Sequence, residues 1–137
     1  RSLSHRNSFP ILLAGDESDR VRSQEIIKQT GAAPAGIFDL CGKTDILQLA
    51  WLIREAKLLI SHDSAPLHMA GLFGTPVVAL FGPTDPLKYG PWRENSRVVR
   101  KTLFCSPCEK SLCVYHHECM EQIDPEEMLK AVNELIL

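Results

Sequence analysis

Two uninterrupted apolar runs, Leu58-Leu59-Ile60 and Val77-Val78-Ala79-Leu80-Phe81, constrain this chain more than any other feature. A strand with one wet face alternates apolar and polar residues. A continuous run is instead buried on both faces, the habit of parallel sheets covered by helices. The surrounding segments keep the matching rhythm. Residues 10 to 14 form a short apolar run closed by Gly15-Asp16, a strand-to-loop signal. From Asp19 to Thr30, Val21, Ile26 and Ile27 sit among charges, which predicts an amphipathic helix ended by Gly31. Gly36 to Leu40 is the next candidate strand. Thr44 is placed to cap a helix that turns Leu47, Ala50, Leu52 and Ile53 inward. Ser64 to Phe73 reads as a short helix closed by Gly74 in the left-handed conformation. Strand and helix alternate, so the expected fold is α/β, a parallel sheet with helices on both faces.

The end of the chain differs. A Pro/Gly-rich stretch, 82 to 91, precedes a strand at Arg97-Val98-Val99 and a cysteine segment. A last helix is expected from Asp124, with Pro125 at its first position and Glu127 completing a capping box. No internal repeat or low-complexity segment interrupts this order.

The 137 residues, 45% of them hydrophobic, are enough for one domain with a buried core. A net charge of −2 without a basic stripe argues against nucleic acid or a polyanionic surface as partner. No apolar run reaches the roughly 18 to 20 residues of a membrane-spanning helix. The first residues lack the apolar region of a signal peptide, and a strand begins within ten residues of the start. The expectation is a cytoplasmic chain cut from something longer.

Chemistry concentrates at residues 63 to 68, Asp-Ser-Ala-Pro-Leu-His, where a buried strand gives way to a helix. Ligands of open parallel sheets bind beyond the carboxyl ends of the strands. A helix start there offers unpaired N–H groups and partial positive charge to a phosphate or diphosphate. Ser64 can cap the helix or donate to a phosphate oxygen, and His68, one turn on, can face the same anion. Asp63 repels phosphate and suits hydroxyl groups. A hydroxyl acceptor beside an anion cradle points to a phosphorylated sugar, while Asp and Ser before a helix are equally ordinary caps.

The stretch DSAPLHMAGLFGTPVVALFGPTDP (63–86) resembles the signature of the bacterial heptosyltransferases, glycosyltransferase family nine. So do AGDESD (14–19), CGKTDILQLAWLIREAKLLISHD (41–63) and CSPCEKSLC with HHECMEQIDPEEM (105–128). The resemblance implies the C-terminal, Rossmann-like domain of a two-domain GT-B enzyme, which holds the nucleotide-sugar donor. By the same resemblance this domain lacks its first strand and helix, and the N-terminal acceptor domain lies outside the chain. The resemblance assigns Asp63 to the transferred sugar's hydroxyls and the Ser64, Ala65, Pro66 and Leu67 backbone with His68 to the diphosphate. It assigns Glu17 to the nucleotide ribose and Thr44, after Lys43, to the base, with Lys43 within reach of the donor. Ala65 departs from the family's glycine; it is harmless at an ordinary helical position and strained at positive φ. The implied reaction is metal-independent, inverting transfer of heptose from ADP-heptose to a lipopolysaccharide core, a lipid-linked saccharide. No catalytic residue is expected in this chain, because the resemblance places the general base in the other domain. No cofactor is expected. The alternatives are a transferase using another nucleotide sugar, a nucleotide-sugar-binding module without catalysis and a zinc-stabilised interaction domain.

Cys105-x2-Cys108-x4-Cys113-x5-Cys119, with His116 and His117, has the ligand types and first spacing of a zinc site. It carries only one close pair of cysteines, so the preferred reading is free thiols and no metal, with zinc or a disulfide among them as the alternatives. Trp51 and Leu52 are read as core or domain-contact surface. Asp85, Lys88, Tyr89 and Trp92 are read as solvated loop.

Overall fold

Parallel pairing, the expectation drawn from the two apolar runs, holds for every strand of the computed structural model, which describes residues 9–31 and 36–136. Among the described residues the ladders are separate, one of two strands and one of three. The chain divides into two compact units, Arg1–Leu49 and Ala50–Leu137.

In the first unit β1 (Ile11–Leu13) pairs with β2 (Ile37–Asp39), Leu12 lying opposite Phe38. A single 3-10 turn (Glu17–Asp19) leads into α1 (Arg20–Gln29), which packs on β2. The inward face of α1 is not the predicted one. Val21 and Ile26 are exposed, while Ser23 is 3% exposed and Ile27 and Thr30 are half-buried. Spacings of four and three put residues 23, 27 and 30 on one stripe, and the small serine lets the helix lie close. Gly31 leaves the helix at φ 90°, the conformation a glycine permits.

Helix α2 (Ile46–Glu55) starts one residue later than Thr44 predicts. Asp45 is the cap: its carboxylate accepts from Gln48 N–H at 2.8 Å, and the Gln48 side chain accepts from Asp45 N–H at 2.9 Å. That is a reciprocal capping box. Ile53 is buried as expected, but Leu47 is 77% exposed. Six residues from Ile53, Leu47 falls well round the helix from the buried side.

The second unit contains the end of α2, then β3 (Leu59–His62), α3 (Ala65–Phe73), β4 (Val77–Phe81) and α4 (Pro86–Tyr89). It continues with β5 (Ser96–Arg100), α5 (Glu118–Glu121) and α6 (Pro125–Ile136). The strand order is β3-β4-β5. Val77, Val78 and Ala79 are all at most 2% exposed. Successive side chains of a strand face opposite ways, so this burial requires cover on both faces of β4. Helix α3 packs on β3 and β4, and α6 packs on β4 and β5. Each large side chain so buried contributes about 1.5–3 kcal/mol.

The family-like motifs flanking the site are largely framework. Gly74 ends α3 at φ 76°, the buried Thr75 hydroxyl donates to the Ile53 carbonyl at 2.8 Å, and the Pro76 carbonyl accepts from Leu59 N–H at 2.8 Å. Gly82 allows close passage: a Cβ there would lie 2.5 Å from Met120 Sδ. At α6, Asp124 accepts from Glu126 N–H at 2.9 Å, but Glu127 does not close the predicted box. Its carboxylate instead takes Lys101 Nζ at 2.9 and 3.0 Å.

Candidate functional site

Strand β3 runs past its apolar residues to His62, so the polar corner begins at the strand's carboxyl end. Ser64 stands at the N-cap of α3 with extended backbone (φ −163°, ψ 172°), yet its side chain makes no capping bond. Its hydroxyl turns back instead, 3.2 Å from the His62 carbonyl and 3.1 Å from Ser61 Oγ. Ser61 Oγ in turn donates to the same carbonyl at 2.9 Å. Two hydroxyls on one carbonyl fix the turn and leave the helix start without a side-chain cap. Capping, the ordinary reading of Ser64, is therefore not what this serine does.

Pro66 has no N–H, and Leu67 N–H already donates to the Ser64 carbonyl at 3.0 Å. Leu67 is also 2% exposed, with its side chain in the core. This narrows the expected cradle: the amides facing an anion at this helix start are those of Ser64 and Ala65. Ala65 is the first residue of α3 and is not among the positive-φ residues, so its Cβ is unstrained. Asp63 Oδ1 lies 3.8 Å from His68 Nε2, with the Asp63 side chain 17% and the His68 side chain 50% exposed. A sheltered carboxylate and an accessible imidazole thus flank an uncapped helix start.

The first unit has its own polar corner, built differently. Asp16 caps the 3-10 turn, accepting from Ser18 N–H at 2.7 Å and Ser18 Oγ at 2.6 Å, while Asp19 accepts from Asp16 N–H at 3.1 Å. The Ser18 bonds hold the Asp16 carboxyl below its ordinary range. The Asp39 carboxyl is likewise held low, first by the Ser23 hydroxyl and then by Cys41 N–H at 3.0 Å. Glu17 meets Arg20 at 2.9 Å on the surface, and its carboxylate occupies the space a Cβ on Gly42 would need. Gly42, at φ 68°, thereby brings the Gly42-Lys43-Thr44 turn against Glu17. Sequence reasoning named these residues without foreseeing that contact. Lys43 Nζ donates to the Asp39 carbonyl at 2.7 Å, so its amine is engaged at the end of its own strand. Thr44 is half-buried.

The cysteines do not realise the zinc spacing: among the described residues no three His, Cys, Asp or Glu side chains gather to hold a metal. All five thiols are free. Local bonds hold the segment's backbone. Cys108 and Glu109 N–H both donate to the Pro83 carbonyl, at 2.9 and 2.8 Å, while Cys113 Sγ accepts from Tyr115 and His117 N–H. Cys119 is buried, which pushes its thiol up, and the Cys113, Cys105 and Cys108 thiols add to the effect. Cys41 is 2% exposed and lies in the first unit's core. Trp51 is 59% exposed and therefore not core. The segment read as solvated loop contains α4, capped by Asp85 through Leu87 N–H at 3.0 Å, with Lys88 paired to Glu109 at 2.7 Å. Trp92 is 70% exposed, as a loop residue would be. No helix among the described residues is long and apolar enough to cross a membrane.

The model of "Glycosyltransferase family 9 (heptosyltransferase)" matches residues 2–118. The chain belongs to that family. Lipooligosaccharide heptosyltransferase 2 of Campylobacter jejuni is 31% identical over 138 residues, which cover 98% of this chain and 43% of that protein. Lipopolysaccharide heptosyltransferase 2 of Escherichia coli is 28% identical, with 94% and 38% covered. Among solved structures, the E. coli ADP-heptose lps heptosyltransferase II superimposes with a TM-score of 0.80 at 26% identity, covering 98% of this chain and 38% of that one. A glycosyl transferase family 9 structure from Veillonella parvula gives 0.82 at 25% identity with the same coverage. The family 9 chain described here thus spans less than half the length of these relatives, and its parallel α/β fold is theirs.

Proposed function

We propose that this chain is the donor-binding, C-terminal domain of a metal-independent inverting glycosyltransferase that moves heptose from ADP-heptose onto a lipopolysaccharide core. The observation that carries the reading is the uncapped start of α3, with Ser64 and Ala65 N–H beside Asp63 and His68. Departure of a nucleoside diphosphate builds negative charge as the sugar becomes oxocarbenium-like. Amides and an imidazole fixed in advance stabilise that charge without reorganising. Asp63, sheltered and acceptor-only when ionised, serves the hydroxyls of the transferred sugar. Glu17 serves the ribose, with Lys43 and Thr44 beside the base. The general base belongs to the acceptor half, outside these residues. The work is cytoplasmic, at the inner face of the inner membrane where a lipid-linked acceptor is presented.

Calorimetry tests the reading. The chain should bind ADP-heptose in preference to UDP- and GDP-sugars. Asp63→Ala should weaken ADP-heptose binding while largely sparing ADP. Equal binding of all nucleotide sugars would refute the ADP-heptose assignment, and transfer to an acceptor by these 137 residues alone would refute the donor-domain assignment.

A further inference from the structure

We infer that His62 is a second imidazole of this corner and accepts a hydrogen bond from a hydroxyl of the sugar carried on the nucleoside diphosphate. The inference rests on the nucleotide-sugar reading of Asp63 and His68, and it adds a residue that the reading leaves out. His62 is the last residue of β3, exposed, and in register with Leu80 of β4. Its ring Nδ1 lies 3.2 Å from the Asp63 carbonyl oxygen. A carbonyl only accepts, so Nδ1 must carry the proton of that bond. The neutral ring then keeps its lone pair on Nε2.

The backbone beneath the ring is held as well. The His62 carbonyl takes the Ser61 and Ser64 hydroxyls, and the Asp63 carbonyl takes the ring, so three side-chain bonds converge on one turn. The result is an acceptor in a defined place, next in sequence to the Asp63 carboxylate, itself an acceptor. Neither acceptor has anything to offer an ionised phosphate, which has no proton to give. They match a polyol, whose adjacent hydroxyls are donors. His62 is therefore assigned to sugar recognition, and the diphosphate to α3 and His68.

The test uses two substitutions that separate the ring nitrogens. His62→Asn keeps a donor near Nδ1 and has nothing at Nε2; His62→Gln puts an amide where Nε2 stood. Calorimetry on this chain with ADP and ADP-heptose should show H62N losing roughly 3- to 10-fold in ADP-heptose affinity, the worth of one neutral hydrogen bond. ADP affinity should stay within about twofold, and H62Q should recover most of the loss. An H62N chain that binds ADP-heptose as the unaltered chain does overturns the proposal. So does a loss shared equally by ADP, which would mark a phosphate contact or a structural role. An unaltered chain that binds neither ligand defeats the reading of the corner itself, and this outcome is distinct from the other two. If H62N does not fold, H62Q against His62→Ala makes the same comparison.

Discussion

The two units handle the same problem, the start of a helical turn after a parallel strand, in opposite ways. After β1, acidic side chains satisfy the turn: Asp16 and Asp19 cap each other's backbone, and Glu17 is paired with Arg20. After β3, the serine in the cap position bonds backwards and the helix start is left to whatever approaches it. Their interiors differ too. In the first unit the cross-strand partners Leu12 and Phe38 are 44% and 52% exposed. In the second, β4 is buried on both faces. Polar side chains thus cap the turn in one corner and leave the helix start uncapped in the other, where a deeper core holds the backbone in place.

The largest test of this contrast is the core. Phe81→Ala, at a side chain 1% exposed, should cost roughly 3–5 kcal/mol in denaturant unfolding. Leu12→Ala should cost less than about 1 kcal/mol. Similar losses at the two sites would remove the distinction between the units.

Next in size is Gly42→Ala, which forces a side chain into positive φ and into the Glu17 carboxylate. It should destabilise by about 1–3 kcal/mol in thermal or urea melts. A neutral effect would mean that the Glu17 contact is loose.

The two N-cap positions, Asp45 and Ser64, sharpen the comparison further. Asp45→Ala breaks a working cap and should cost about 1 kcal/mol. Ser64→Ala breaks none at α3 and loses only its bond to the His62 carbonyl, which Ser61 still holds, so it should cost less, about 0.5 kcal/mol in the same melt. If Ser64→Ala costs as much as Asp45→Ala, the helix start of α3 is capped after all and loses its claim to an anion.

The smallest expected effect is with pH. Asp16 and Asp39 are both held below their ordinary values in the folded chain. Depressed carboxyls add stability that is present above the unfolded value and lost as pH falls through the folded one. Amide exchange at β1 and β2, corrected for intrinsic rates, should therefore accelerate between about pH 5 and pH 3, more than exchange at β4. Equal acceleration in both units would mean that these carboxyls do not distinguish them.

Much of this was legible in the residues themselves. The span of β4 is read correctly because five apolar residues in a row leave no polar face to solvate. The Gly74 cap is read correctly because only glycine ends a helix at such a φ without strain. Asp45 was legible too: Asp-x-x-Gln at 45–48 carries the capping-box spacing, and Thr44 stood one residue in front of it. The inward face of α1 was not. Ser23 is buried because the helix crosses β2 closely, and no periodicity of Val21, Ile26 and Ile27 reports that crossing.

At the site, sequence alone determined that an acid, a hydroxyl and an imidazole stand where a buried strand meets a helix. It also carried the family, since motifs of that length and order are chemically specific. Tertiary structure decided what each atom is free to do. Ser64 is withdrawn from its helix, Leu67 N–H is already used, and Lys43 is tied to Asp39. It also turned His62 toward the Asp63 carbonyl. The reason is the same in each case. Spacing fixes which groups are present and on which element, but a hydrogen bond is a competition among all acceptors within about 3 Å, and those acceptors are brought there only by the folded chain.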